Sequence, residues 1–162
     1  MTLSENVNAD RSDVLLTSVF LAGGIKSKRK LNTLVFIIQE KLKSTNKEIL
    51  NYKFYDTITG PYSLELMEDI EVLANAGFVS GSNKRNLGEF THYYSLTDFG
   101  EMEYKWIIEK NTPDDVKEDI RKVIDEYRNM HAYEIITKLK ENGEYVSLEP
   151  EEKLNNILFE KI

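Results

Sequence analysis

The chain has 162 residues, of which 41% are hydrophobic and 30% are charged, a composition typical of a globular protein that is long enough to bury a core. It contains no cysteine, which excludes disulfide and cysteine–zinc chemistry and favours a cytoplasmic setting. The net charge of -7 disfavours nonspecific adhesion to polyanions, and the longest apolar run, residues 34–38, is too short to span a membrane.

The first predicted element is a short apolar helix. Residues 1–10 are polar, carry no secretory signal and are expected to form a flexible N-terminus. The apolar segment that follows is predicted to be a helix capped by Ser12 or Asp13. Gly23-Gly24 is predicted to end it, because glycine adopts the left-handed conformation of helix ends.

A second helix is predicted in IKSKRKLNTLVFIIQEKLK, whose apolar residues recur at the spacing of one helical face from Leu31 to Leu42. Its beginning lies in the basic part of the chain. Between residues 22 and 60 there are 8 cations and 3 anions, whereas from residue 113 onward there are 8 cations and 13 anions. The cations at the helix start are Lys26, Lys28, Arg29 and Lys30.

A short strand and an acidic helix come next. Residues 51–59 alternate aromatic and polar side chains, which predicts a strand running into a turn at Gly60-Pro61. Ser63 is predicted to cap the third helix, and Gly77 is predicted to end it. The predicted outer face of this helix carries Glu65, Glu68, Asp69 and Glu71.

A β-hairpin and a fourth helix follow. Strands beginning at residue 78 and returning at residues 91–96 predict a hairpin with a basic tip at Lys84-Arg85. Thr97 is predicted to cap a helix that runs toward Lys110. Its expected buried side carries Met102, Trp106 and Ile107.

The C-terminal part is predicted to be helical. Thr112 as cap and Pro113 at the first position signal a helix start, and a further helix around residues 133–139 is predicted to end at Asn142-Gly143. The first of these helices has apolar residues at alternating spacings of four and three, which form a seam for another helix. These residues are Val116, Ile120, Val123, Tyr127 and Met130, and we call the first four the seam. It packs either on this chain's first helix or on a second copy.

Several phrases of the sequence resemble those of a known group. YSLTDFG, residues 94–100, looks like the Y-x-L-T-x-x-G phrase that closes the wing in many winged-helix regulators. The segments KSKRKLNTLVFIIQE, NYKFY and GPYSLELMEDIEVLANAGFV together resemble the YwgA-like and Panacea-like group of prokaryotic winged-helix proteins, over roughly residues 13–106. The chain has Asn32-Thr33 where that group's second helix commonly carries a Gln-Lys pair.

The resemblance and the order of elements imply an α+β fold. It consists of a winged helix-turn-helix domain at residues 11–110 and a helical extension at residues 111–162, which is a candidate dimerisation segment. Winged-helix relatives include DNA-binding repressors, and Panacea-like members are associated with neutralising toxins through protein contacts. The fold alone therefore allows both kinds of function.

Enzymatic chemistry is not expected. Asp98-Phe99-Gly100 spells the kinase magnesium motif, but the glycine-rich and catalytic loops of kinases are missing. His92 and His131 have no second metal ligand at helical or hairpin spacing. We therefore expect no catalytic residues, no metal and no cofactor.

We predict a transcription-regulator-like protein that binds double-stranded DNA. Helix starts and wing tips can reach phosphates, whereas the acidic third helix would meet them with like charge. The predicted contacts are Lys26, Lys28, Arg29, Lys30, Tyr62, Asn83, Lys84 and Arg85. The alternative is a noncatalytic protein-interaction module of antitoxin or adaptor type. Its acidic third helix would meet a basic partner, or its seam would form a homodimer.

Overall fold

The computed structural model describes residues 10–86 and 89–160, and the side chains of residues 82–92 lie outside this description. The fold is α+β, as predicted. The helices are α1 (Arg11–Ala22), α2 (Lys28–Ser44), α3 (Leu64–Asn75), α4, α5 (Asp114–Tyr127), α6 (Ala132–Glu141) and α7 (Glu151–Glu160). Helix α4 begins at Asp98–Glu103, continues through a π-helical turn at Tyr104–Ile108 and ends at Glu109–Asn111. The flexible N-terminus predicted for residues 1–10 lies, except for residue 10, outside the described residues.

Two small sheets accompany the helices. The strands are β1 (Ile25–Lys26), β2 (Tyr55–Thr57), β3 (Gly60–Tyr62), β4 (Val79–Asn86), β5 (Glu89–Leu96) and β6 (Glu149–Pro150). One sheet has the antiparallel order β1-β5-β4, in which Lys26 lies opposite Tyr93. The other has the order β3-β2-β6, in which β6 runs parallel to β2. The predicted hairpin is therefore formed by β4 and β5. Strand β5 also pairs with β1, which leads into α2.

Most predicted helix ends are confirmed, with shifts of a few residues. Gly23 and Gly77 have positive φ, and the Ser63 hydroxyl accepts the Leu66 N–H at the start of α3. The cap of α1 is Asp10 rather than Ser12 or Asp13, because the Asp10 carboxylate accepts the Asp13 N–H.

The predicted turn at Gly60-Pro61 is wrong. Both residues belong to β3, in which Gly60 lies opposite Thr57 and Pro61 opposite Asp56. The turn therefore falls on Ile58 and Thr59, and it is stabilised by the Thr57 hydroxyl, which donates to the Gly60 carbonyl at 2.7 Å.

Helix α2 lies at the centre of a continuous hydrophobic core. Buried residues such as Leu34, Phe36 and Ile38 lie on more than one face of the helix. Several elements must therefore pack against it. Helices α5 and α6 and strand β3 all pack on it. Residues of α1, α2, α5 and α6 form one cluster, so the hydrophobic core is continuous across the boundary predicted at residue 110. In the described part of the chain, no helix is both long and apolar enough to cross a membrane.

The seam packs inside the chain. Val116, Ile120, Val123 and Tyr127 are all buried, on a helix that contacts α1 and α2. Of the two partners that the sequence left open, the chain's own helices are the ones observed. The seam is therefore covered by this chain's own helices, and a homodimer through the C-terminal helices stays a prediction.

The buried side of α4 was also predicted wrongly. Gly100 lies against the backbone of Phe78, where a Cβ would come within 2.0 Å of the carbonyl oxygen. This contact directs the Gly100 side of the helix inward, and Tyr104 and Ile108, four and eight residues later, are buried with it. Tyr104 stacks on Phe20 with 4.4 Å between ring centroids. The side chains predicted to be buried, Met102, Trp106 and Ile107, are exposed instead.

Candidate nucleic-acid interface

Three cations form an exposed cluster where β1 leads into α2. We call Lys26, Lys28 and Arg29 the basic segment, and all three are exposed. Strand β1 pairs with β5, and the Ser27 hydroxyl accepts the Lys30 N–H at 3.1 Å to cap the helix. The positive charges therefore gather at a helix N-terminus, where unpaired N–H groups already favour anions. No ion pair joins the basic segment to an acid within the described residues.

Arg29 connects the basic segment to the β2–β3 hairpin. Its Nε donates to the Thr59 carbonyl at 2.8 Å, and the side chain remains exposed overall. Ile58, at the tip of this hairpin, is 93% exposed. An apolar side chain at such a tip, next to an arginine, resembles the wedges that some DNA-binding proteins insert between base steps.

Ser27 has an uncommon backbone conformation within this region. Its φ is +85°, which side chains with a Cβ rarely adopt. Such conformations cost about 1–3 kcal/mol each and occur preferentially at functional sites. This strained residue lies between Lys26 and Lys28, within the basic segment.

Lys30 does not belong to the exposed cluster, and its role as a DNA contact stays a prediction. Its Nζ donates to the Arg128 carbonyl just after α5, and its side chain is half-buried. Burial lowers the pKa of the Lys30 ammonium from its ordinary value. Arg128 in turn donates to the Leu21 carbonyl at 2.7 Å, so Lys30 fastens α2 to the end of α5 and, through it, to α1.

The remaining predicted DNA contacts are less exposed or fall outside the description. Tyr62 is half-buried, and burial raises the pKa of its phenol. Burial raises the pKa of Tyr94 as well, and the charge of Tyr62 adds to this shift. Asn83, Lys84 and Arg85 have backbones in β4, where Lys84 lies opposite Thr91, but their side chains lie outside the described residues.

The outer face of α3 is acidic, but its four carboxylates are not equivalent. Glu65, Glu68 and Glu71 are exposed, and the Glu65 carboxylate accepts the Lys53 N–H at 2.8 Å. Asp69 instead pairs with Arg11, with 2.7 Å between the carboxylate and Nε. Asp69 is therefore engaged within the chain, and its role in protein interaction stays a prediction.

Asp69 has a second partner within the chain. The Tyr52 hydroxyl donates to its carboxylate at 2.5 Å, and burial, together with this hydrogen bond, raises the pKa of Tyr52. The Arg11 guanidinium also lies 4.6 Å from the centre of the Tyr52 ring. Asp69, Arg11 and Tyr52 thus connect α1, the segment before β2 and α3.

The described residues contain no group of three or more side chains able to hold a metal ion. The most buried carboxylate, Asp119, has two partners, namely Thr45 at 2.8 Å and Lys47 at 2.7 Å. Burial alone would raise the pKa of Asp119, but the hydrogen bonds from Lys47 and Thr45 outweigh it and lower the pKa. These contacts fasten the loop after α2 to α5.

The geometry defines an α+β protein with an exposed basic segment beside a β-hairpin. No protein-family model matches the chain, and no solved structure matches it significantly. Over 79 residues the chain is 35% identical to the uncharacterized protein YwgA of Bacillus subtilis (strain 168). The match covers 49% of this chain and 45% of that protein, so the relationship to YwgA is shown for about half of each.

Proposed function

We propose that this chain is a winged helix-turn-helix protein that binds double-stranded DNA in the manner of a transcription regulator. The observation that carries the proposal is the basic segment, in which three exposed cations stand at the N-terminus of the central helix. Phosphates are the ligands that such a cluster favours, since it combines side-chain charge with the helix dipole.

The order of elements supports the winged-helix assignment. Helices α1 and α2, then the short β2–β3 hairpin, α3 and the long β4–β5 hairpin follow one another as in that fold. In the proposed assignment, α3 occupies the position of the DNA-reading helix and β4–β5 is the wing. The Asn32 side chain accepts the Ser63 N–H at 2.8 Å and so fixes the start of α3 against α2.

The contact surface is proposed to be the basic segment and the wing, not α3. The exposed face of α3 carries Glu65, Glu68 and Glu71, which would approach phosphates with like charge. Binding through lysine and arginine contacts to phosphates has little dependence on base sequence. We therefore propose low sequence specificity.

A titration of labelled duplex DNA at two salt concentrations tests this proposal. We expect wild type to bind at low salt and to weaken steeply as salt rises. The triple change Lys26→Ala, Lys28→Ala and Arg29→Ala should reduce the slope of log affinity against log salt by about 2 to 3, since each lost phosphate contact removes about 0.9. Lys43→Ala, an exposed cation at the other end of α2, is the matched control. No binding at low salt, or equal effects of the triple change and the control, would refute the proposal.

A protein-interaction module remains the alternative, and the exposed acidic side chains of α3 favour it. Val72, on the same helix, is 65% exposed, so an apolar group lies on a helix with exposed carboxylates. A basic protein partner would match this surface. Failure of wild type to bind DNA, together with partner binding that Glu68→Lys and Glu71→Lys abolish, would favour this alternative.

A further inference from the structure

Helix α4 carries an apolar surface that the described parts of the chain cover only in part, with Phe99 packed on Phe78 at 5.3 Å between ring centroids. We call Phe99, Met102, Trp106 and Ile107 the α4 stripe, and they are 45%, 50%, 71% and 50% exposed. A fully exposed large side chain presents about 200 Å². The four exposed fractions add up to about two such side chains, so the stripe presents about 400 Å² of apolar surface. The largest apolar patch on a typical monomer is of this size and is often functional.

We propose that the α4 stripe is an interface between two copies of this chain, in which the two α4 helices pack antiparallel about a two-fold axis. Phe99, Met102 and Trp106 are spaced by three and four residues, so they lie along one side of the helix. Gly100, Tyr104 and Ile108 face the chain's own core from the other side. The helix therefore holds its outer side rigidly toward solvent.

The charges on α4 select a second, antiparallel copy. Its first half, Asp98–Glu103, contains three acids and no base, whereas the following Tyr104–Asn111 part contains two lysines and one glutamate. Parallel packing would bring the two acidic halves together. Antiparallel packing places each acidic half against the other copy's lysines and also opposes the two helix dipoles.

One ion pair shows how the two copies match. Lys105 and Glu101 lie on the same flank of α4, with 3.0 Å between Nζ and the carboxylate, and both are exposed. A two-fold axis brings equal flanks of two antiparallel helices together. Glu101 of each copy then meets Lys105 of the other. The apolar area is about half of the roughly 800 Å² per partner that stable interfaces bury, so association at micromolar concentrations is expected.

Sedimentation between about 1 and 200 μM measures this association, and Trp106 reports on it because it is the chain's only tryptophan. Wild type should form dimers with rising concentration, and its tryptophan emission should shift to the blue. Met102→Ser should weaken dimerisation about tenfold or more. Phe159→Ser removes an exposed phenylalanine from α7 and is the matched control. A wild type that stays monomeric throughout this range, or equal effects of both changes, would overturn the proposal.

A charge exchange tests the antiparallel arrangement. Glu101→Lys and Lys105→Glu each place like charges across the interface, so each variant alone should self-associate several-fold more weakly than wild type. Mixing the two variants should restore association, because each then offers the opposite charge to its partner. Both variants keep their own intrachain repulsion in the mixture, so recovery can only come from contacts between copies. Weakening without recovery would refute antiparallel packing.

Discussion

Removing the buried Asn32 side chain should lower the free energy of unfolding strongly for a change of so few atoms. It is 1% exposed, its oxygen accepts the Ser63 N–H at 2.8 Å, and its amide donates to the Lys28 carbonyl at 2.9 Å. In Asn32→Ala the buried Ser63 N–H loses its partner, which costs about 1–3 kcal/mol, and loss of the other contacts adds about 1 kcal/mol. We expect the free energy of unfolding to fall by about 3 kcal/mol. The melting temperature should drop by about 6–12 °C in a circular dichroism scan.

The neighbouring Thr33 provides a matched control for this prediction. It is also fully buried, but its hydroxyl donates to the Arg29 carbonyl within the same helix, at 2.7 Å. A carbonyl at that position already accepts a helical N–H, so Thr33→Val leaves no buried group unpaired. We expect it to cost less than about 1 kcal/mol. If both changes cost the same, or if Asn32→Ala costs under about 1 kcal/mol, the connection between α2 and α3 is not what stabilises this region.

Three further changes test other contacts. Burial and the nearby N-cap carboxylate raise the pKa of Asp13 from 3.8 to about 6, so ionising it disfavours folding as pH rises between these values. Asp13→Asn should therefore stabilise the chain by about 1 kcal/mol at pH 7 and not below pH 4, and a gain at all pH values in denaturant titrations would contradict this. Gly60→Ala should cost about 2 kcal/mol in the same assay, because φ is +110° and the new Cβ would lie 2.4 Å from Ile136. Asp69→Ala should cost about 2 kcal/mol and Glu71→Ala under 0.5; similar losses would show that Asp69 is not held internally.

The sequence predicted the helices and the presence of the long hairpin because the signals are local, but it placed the hairpin tip at Lys84-Arg85, which lie within β4 opposite Thr91 and Phe90. Ser63 and Thr97 both cap helices as predicted, and each hydroxyl accepts an N–H three residues later. The apolar repeat of α2 likewise predicts a central helix. Such features depend on neighbouring residues alone, so no knowledge of the tertiary fold is needed.

The sequence did not predict which apolar surfaces find a partner within the chain. The seam on α5 and the apolar residues of α4 have similar spacing, yet the seam is buried and the α4 stripe is exposed. The close approach of Gly100 to the Phe78 carbonyl helps to fix the orientation of α4. A glycine inside a helix was the available signal for this contact, because it marks a place where another backbone approaches.

The candidate site was predicted in part for the same reason. Lys26, Lys28 and Arg29 are exposed, as a basic helix start indicates. Lys30 and Asp69 look equally available in the sequence, but partners distant in the chain, at Arg128 and Arg11, engage them. A contact over such a separation leaves no periodic pattern in the sequence, so charge alone could not reveal it.

The continuity of the core has a consequence for how the chain is made. Helix α2 is covered by α5 and α6, which lie some 70 to 100 residues later in the sequence. During synthesis at about 5–20 residues per second, the apolar surface of α2 therefore stays uncovered for several seconds after it leaves the ribosome. Until residue 141 has emerged, the nascent chain presents a site for chaperones or for aggregation, and closure of the core must wait for α5 and α6.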